Sequence, residues 1–119
     1  MLPRTRRLVD AEGFRRTVRQ GRRSASRHLV VHLLVEEEGP AGVSVGFVVS
    51  KAVGPAVVRN RVKRRLRHQA REQLSSLERL PGSAVLVVRA LPAAATATSA
   101  ELAGDLARCL DRVVEGTRS

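Results

Sequence analysis

Of the 119 residues, one is cysteine and one methionine, none is tryptophan or tyrosine, and two are phenylalanine. The single Cys109 excludes an internal disulfide and any cysteine-based metal site. No apolar run reaches the roughly 18 residues that a membrane-spanning helix needs. The basic start, Met1-Leu2-Pro3-Arg4-Thr5-Arg6-Arg7, is not followed by a long apolar segment, so a secretory signal is not expected. There is no P-loop and no glycine-rich dinucleotide motif, which argues against nucleotide hydrolysis. Internal repeats are absent. The expectation is a soluble, cytoplasmic chain forming a single domain over 1–119, loose at 1–7 and 116–119.

What is present in excess is positive charge. Lysine and arginine total 22 against 11 acids, a net +11, and all but Lys51 and Lys63 are arginine. Such an excess implies a polyanionic partner, most often nucleic acid. The placement of the charge is more telling than its sum. Residues 1–27 carry nine arginines and two acids, and residues 59–71 carry six arginines, Lys63 and no acid. The stretches between and after them are close to neutral, whereas a surface built only for solubility intersperses the signs.

Leu8, Ala11, Phe14 and Val18 recur at helical spacing, with Asp10 able to cap the start and Gly21 the end. Residues 22–27 read as loop or edge strand. The run from His28 to Val35 is short, apolar and β-branched, a strand, and Gly39-Pro40 with Gly42 marks a turn. Val43 to Ser50 reads as a second strand, joined to the first as a hairpin. Gly54-Pro55 opens a long helix to about Leu77, before Pro81-Gly82. Ala84 to Arg89 is an apolar, central strand, parallel to the strand before the helix. Residues 92–97 are a small-residue loop. Thr98 and Glu101 form a capping box for a last helix with a stripe of Leu102, Leu106, Cys109 and Val113. The class is α+β: one small mixed sheet with helices packed on it.

The long helix carries the most information. Val58, Val62, Leu66 and Ala70 lie four apart and form an apolar stripe expected to pack on the sheet. Asn60, Arg61, Lys63, Arg64, Arg67 and His68 fall on the other face, and Arg59 and Arg65 flank the stripe, where their stems can be buried. Like charges this dense destabilise an isolated helix, and a polyphosphate laid along them relieves the repulsion and releases counterions.

The segment Val48-Val49-Ser50-Lys51-Ala52-Val53-Gly54-Pro55-Ala56-Val57-Val58-Arg59-Asn60-Arg61-Val62-Lys63-Arg64-Arg65-Leu66-Arg67 closely resembles the signature of the bacterial ribonuclease P protein subunit. There a strand ending in Ser-Lys leads through a glycine loop into a helix opening with Arg-Asn-Arg. The order of the other elements agrees with that family over most of the chain. The resemblance implies a two-layer α+β sandwich, ribosomal protein S5 domain 2-like, with about three helices and a left-handed β-α-β crossover. It implies a ribonucleoprotein that cleaves the 5′ leader from precursor tRNA, in which the RNA subunit with bound Mg²⁺ performs the hydrolysis and the protein supplies no catalytic residue or metal site of its own. The implied partners are one ribonuclease P RNA per protein and precursor tRNA, with no membrane. By the same resemblance Arg59, Asn60, Arg61, Lys63, Arg64 and Arg67 face the RNA subunit. Phe14, Val18, Val30, His32, Ser50 and Lys51 line a cleft for the single-stranded leader. Arg65 departs from the family pattern, as do Val18 and His32, where relatives often carry aromatics that stack on a base for roughly 1–3 kcal/mol.

Rival readings fare less well on the residues. A self-sufficient nuclease needs clustered carboxylates or a histidine pair. Glu36, Glu37 and Glu38 are consecutive and read as an exposed turn. His28 and His32 lie about 13 Å apart along a strand, too far for one metal, and read as wet or stacked side chains. A ribosomal-type RNA-binding protein without a processing role fits charge and fold equally well, and only the stretch from Ser50 to Arg67 speaks against it. A helix-turn-helix is not expected, because the basic helix follows a strand and a glycine loop. Cys109 reads as core.

Overall fold

The computed structural model describes residues 6–8, 10–36, 42–78 and 82–118. The elements are β1 (Arg6–Leu8), α1 (Ala11–Gln20), β2 (Arg22–Ala25), β3 (Leu29–Glu36), β4 (Gly42–Val48), a 3₁₀ turn (Lys51–Val53), α2 (Ala56–Gln73), the short α3 (Ser75–Glu78), β5 (Ser83–Ala90), a second 3₁₀ turn (Pro92–Thr96) and α4 (Ser99–Arg118). The five strands form one mixed sheet in the order β1-β4-β5-β3-β2.

Strand β5 organises the sheet. Leu86, Val87 and Val88 are all fully buried, so both of its faces are covered. A strand apolar on both faces is stable only in the interior of a sheet. It pairs along its length with β3 in antiparallel register, Leu29↔Ala90 to Glu36↔Ser83. On its other edge it pairs in parallel with β4, Gly42↔Ser83 to Val48↔Arg89. The β3–β4 hairpin expected from sequence therefore does not form: the two strands run antiparallel but β5 lies between them. Two open ladder edges attract a doubly apolar strand more strongly than they attract each other. The connection 37–41 lies outside the described residues. The parallel β4–α2–β5 crossover is as expected.

One face of the sheet bears the core. Leu29, Val31, Leu33, Val43, Val45, Leu86 and Val88 meet Val62, Leu66 and Ala70 of α2 and Leu102, Leu106, Cys109, Leu110 and Val113 of α4. The α2 stripe lies mostly against α4 rather than flat on the sheet, and only part of the helix reaches β4. Gln73 Nε2 donates to Ala103 O at 3.1 Å and ties the two helices together. The capping box at the start of α4 is formed: Glu101 N donates to Thr98 Oγ1 and Thr98 N to Glu101 Oε1.

Helix α1 crosses the opposite face, over β3 and β5. Asp10 Oδ1 accepts from Gly13 N at 2.7 Å, and Gly21 N–H donates to Thr17 O. The buried face differs from the expected stripe. Leu8 belongs to β1, Ala11 is exposed, Val18 is 37% exposed and Phe14 is half-buried. The fully buried residue is Thr17, whose hydroxyl is satisfied by donating to Gly13 O at 2.7 Å. The helix can sit this close because Gly21 has no side chain: a Cβ there would lie 2.7 Å from Leu33 O. Arg16 and Glu36 form an ion pair between α1 and the end of β3.

Secondary structure extends to both ends of the described chain. Arg6 and Arg7 pair in parallel with Val43 and Ser44, and α4 runs to Arg118. Residues 1–5 and Ser119 lie outside the described residues.

Candidate nucleic-acid interface

After β4 the chain passes through Ser50 and Lys51, both exposed, and reaches α2 by way of Gly54. Gly54 has φ 152°, and a Cβ there would lie 3.2 Å from the Val58 side chain. The positive φ favours glycine at this turn, and the Val58 side chain leaves little room for a Cβ. Arg59 Nε donates to Gly54 O at 3.1 Å and locks the turn to the helix.

The arginines of α2 divide into two sets. Arg61 Nη2 donates to Ala95 O at 3.1 Å and Arg65 Nη1 to Ala97 O at 2.8 Å. Both reach back to the segment 92–97, and with Arg59 they fasten the helix to the body of the protein. Arg61 thus does not stand on the free face where its spacing put it; its Nε is buried without a hydrogen-bond partner. The rise and turn of the helix carry its long stem to unused carbonyls of the second 3₁₀ turn, a destination periodicity does not reveal. Asn60, Arg64, Arg67, His68 and Arg71 are exposed and Lys63 is half-buried. Asn60, Arg64, Arg67 and Arg71 follow at four-, three- and four-residue steps, one ridge along the helix. No acid falls between positions 56 and 71.

The second group of expected residues gathers on the α1 face of the sheet. Val30 and His32 alternate away from the core on β3. Register places Arg89 of β5 between Val30 and Val48, and Arg23 of β2 beside His32. Ser50 and Lys51 follow Val48 at the same end of the sheet. Phe14 and Val18 belong to α1 above. Val30 and His32 are buried, 5% and 7% exposed, and form a floor rather than an open wall. The half-buried Phe14 offers more aromatic surface than His32. Burial, then the charges of Arg23 and Arg89, hold the His32 imidazole below its ordinary pKa. Its Nδ1 is buried without a partner.

Arg89 and Arg23 escaped the sequence reading. The run to Arg89 looks uniformly apolar, and only the alternation of Val85, Val87 and Arg89 against Ala84, Leu86 and Val88 turns the exposed Arg89 away from the core. Residues 22–27 were open between loop and strand, so the facing of Arg23 could not be read.

A hydroxyl, an imidazole and a carboxylate also meet. Asp105 Oδ2 lies 2.7 Å from His28 Nδ1, and accepts from Ser26 Oγ at 2.8 Å and from His28 N at 3.2 Å. Both side chains bond the same carboxylate oxygen, so the serine is not presented to the histidine as a nucleophile is to its base. His28 is therefore neither wet nor stacked but part of a buried tie between the β2–β3 turn and α4. Burial pushes the Asp105 carboxyl up, and the hydrogen bonds from His28 and Ser26 outweigh it and hold the group below its usual range. Among the described residues no three of His, Cys, Asp and Glu converge to hold a metal ion. Nor is any helix among them long and apolar enough to cross a membrane.

The family model described as Ribonuclease P matches residues 2–114. The chain is 62% identical over 114 residues to the ribonuclease P protein component of a Nocardioides species, covering 95% of each. It is 50% identical to that of Mycobacterium avium, covering 98% of each. Its fold superposes on the Staphylococcus aureus RNase P protein with TM-score 0.74 at 26% identity, over 92% of this chain and 94% of that one. The Thermotoga maritima RNase P protein shares the fold, with TM-score 0.65 at 19% identity, over 80% of this chain and 86% of that one. Sequence, fold and the basic helix after a Ser-Lys strand end thus agree, and the chain belongs to the ribonuclease P protein component family, the protein part of the tRNA-processing ribonuclease.

Proposed function

We propose that the exposed ridge of α2 docks on the ribonuclease P RNA and that the cleft between α1 and the sheet holds the 5′ leader of precursor tRNA. Asn60, Lys63, Arg64 and Arg67 contact RNA phosphates directly. Arg59 and Arg61 contribute by holding the helix and adding to its field. In the cleft, Phe14 stacks on a leader base, and Lys51, Ser50 and Arg89 take its phosphates over the floor of Val30 and His32. Val18, at the rim, adds apolar contact. The observation that carries this reading is the acid-free ridge on a helix whose other guanidinia are already bonded to the protein. Repulsion along the ridge is relieved when phosphates neutralise it.

The donor set does not fit a Mg²⁺ held by this chain, since the described carboxylates are dispersed. Mg²⁺ belongs with the RNA subunit and substrate, and the RNA subunit performs the hydrolysis. The protein binds, orients and screens phosphate charge, one copy per RNA, in the cytoplasm.

The test is a reconstitution with a bacterial ribonuclease P RNA at low Mg²⁺, following leader cleavage from precursor tRNA. Cleavage is expected with RNA and protein together and none with protein alone. RNA binding without stimulation would instead favour a ribosomal-type RNA-binding role. In the same assay the double variant Arg64→Glu, Arg67→Glu should fold normally and bind the RNA subunit more weakly. Its log–log salt slope should be shallower by about 1.8, from two lost phosphate contacts. An unchanged salt slope counts against the docking ridge.

A further inference from the structure

A cavity of about 450 Å³ opens at the far edge of the sheet, between the end of α1, edge strand β2 and the last turns of α4. Its wall includes Arg22, Arg23 and Arg112 and no carboxylate. Gly116 makes room for one of these arginines: a Cβ there would sit 2.7 Å from Arg22 Cδ, so the missing side chain lets the Arg22 stem lie across α4. Arg112 Nη1 reaches Ala25 O at only 3.5 Å, a weak hold for a guanidinium with five donors. Arg22 and Arg112 bring two like charges to one polar cavity, which an anion between them would neutralise, and the planar fork of arginine suits a phosphate.

The position of the cavity identifies the anion. Strand β2 is at the opposite end of the sheet from β1 and β4; α2 reaches β4 and is tied to the first turns of α4 at Ala103, whereas the cavity lies at β2 and the last turns of α4. The cavity is therefore remote from the docking ridge. It adjoins the leader cleft instead: Arg23 pairs with His32 on the cleft face, and its neighbour Arg22 pairs with Leu33 on the α4 face. Consecutive strand residues point to opposite faces. The β2 edge is thus flanked by a guanidinium on each side, the first over the cleft and the second over the cavity.

We propose that this cavity is a second phosphate-binding station, which takes a backbone phosphate of the 5′ leader after the strand has left the cleft and passed around the β2 edge. The inference rests on the leader reading above and extends it to nucleotides farther from the cleavage site.

The experiment uses the reconstituted ribonucleoprotein and two precursor tRNAs, one with a short leader ending within the cleft and one with a leader long enough to reach β2. Arg22→Gln with Arg112→Gln should weaken binding of the long-leader substrate by roughly tenfold and make its salt slope shallower by about 1.4, as expected for two contacts to a single strand. Binding of the short-leader substrate and of the RNA subunit should not change. Arg22→Lys with Arg112→Lys keeps the charge but loses the fork, and should give a smaller loss in the same direction if the glutamine variant folds poorly. Equal losses for both leader lengths, a loss of RNA-subunit affinity, or no change in any of these overturns the proposal. If wild-type protein stimulates cleavage of neither substrate, the leader reading falls, and this station with it.

Discussion

Replacing Asp105 by alanine tests the buried tie between the β2–β3 turn and α4. The carboxylate is 4% exposed and receives three donors at one oxygen. An ionised carboxylate is only an acceptor, so His28 Nδ1 carries the hydrogen. Without Asp105 the Ser26 hydroxyl can still donate to Leu29 O at 3.2 Å. Arg108, which donates to the other oxygen of Asp105 and is largely exposed, turns to water. Two donors are left stranded, the imidazole Nδ1–H and the backbone N–H of His28. Each buried donor without a partner costs about 1–3 kcal/mol, and breaking a buried pair by removing one member costs about 3–5. A loss of about 4 kcal/mol is therefore expected, against a total of about 5–15 for a domain. For a chain of this size that lowers Tm by about 15 °C. The assay is thermal and urea unfolding followed by circular dichroism, with the exposed Asp111→Ala as a control expected within about 0.5 kcal/mol of wild type. The pH dependence carries a second signature. The folded carboxyl lies below its ordinary range, so its contribution is complete above the unfolded aspartate pKa and is lost as pH falls through the folded value. The variant should lose that part of the acid limb. Unfolding of Asp105→Ala within about 1 kcal/mol of wild type would refute the reasoning.

Phe14→Ala should weaken binding of leader-bearing precursor tRNA by about 1–3 kcal/mol and leave mature tRNA unaffected; an equal loss for both would make Phe14 purely structural. Leader phosphates near His32, Arg23 and Arg89 should raise the His32 pKa from its lowered free value, so leader affinity should increase as pH falls through the interval between free and bound values. An NMR titration of His32 with and without leader checks this, and an unshifted resonance counts against a leader in the cleft. Gly21→Ala should destabilise by about 1–3 kcal/mol, because its Cβ would press on Thr17 O at 2.5 Å and Leu33 O at 2.7 Å. Denaturant midpoints measure the effect, and an unchanged midpoint would mean that α1 can lift off β3 without cost.

Local signals were legible in the sequence. Asp10, Gly21 and the Thr98–Glu101 box mark helix ends as their chemistry requires. The stripe through Val62, Leu66 and Ala70 is buried as its spacing implies. What escaped depends on the partner rather than the segment. Val43 to Val48 is a strand by any local measure, yet nothing within it tells whether β3 or β5 will be its neighbour. Pairing of β1 beyond β4 has the same character, since three residues hold no pattern of their own. On α1, Thr17 takes the buried place that Ala11 and Val18 were expected to hold, because a hydroxyl bonded within its own helix can lie against a sheet where a tight approach matters more than apolar area. The candidate site divides likewise. The charge on α2 was evident, but the diversion of Arg61 and Arg65 to the carbonyls of Ala95 and Ala97 depends on a segment more than thirty residues away.

The central place of β5 has a consequence for the order of assembly. Strands β3 and β4 are both emitted early, yet neither can hydrogen-bond the other, and both wait for residues 83–90. A chain growing from the ribosome, or one truncated before β5, holds two apolar strands with open edges and a basic helix with nothing to pack on. Closing the sheet requires contacts across some fifty residues of chain, which slows folding relative to a hairpin-first route. During that wait the exposed strand edges invite aggregation. The positive charge carried by α2, with no acid between positions 56 and 71, repels like copies in the same interval and opposes that association.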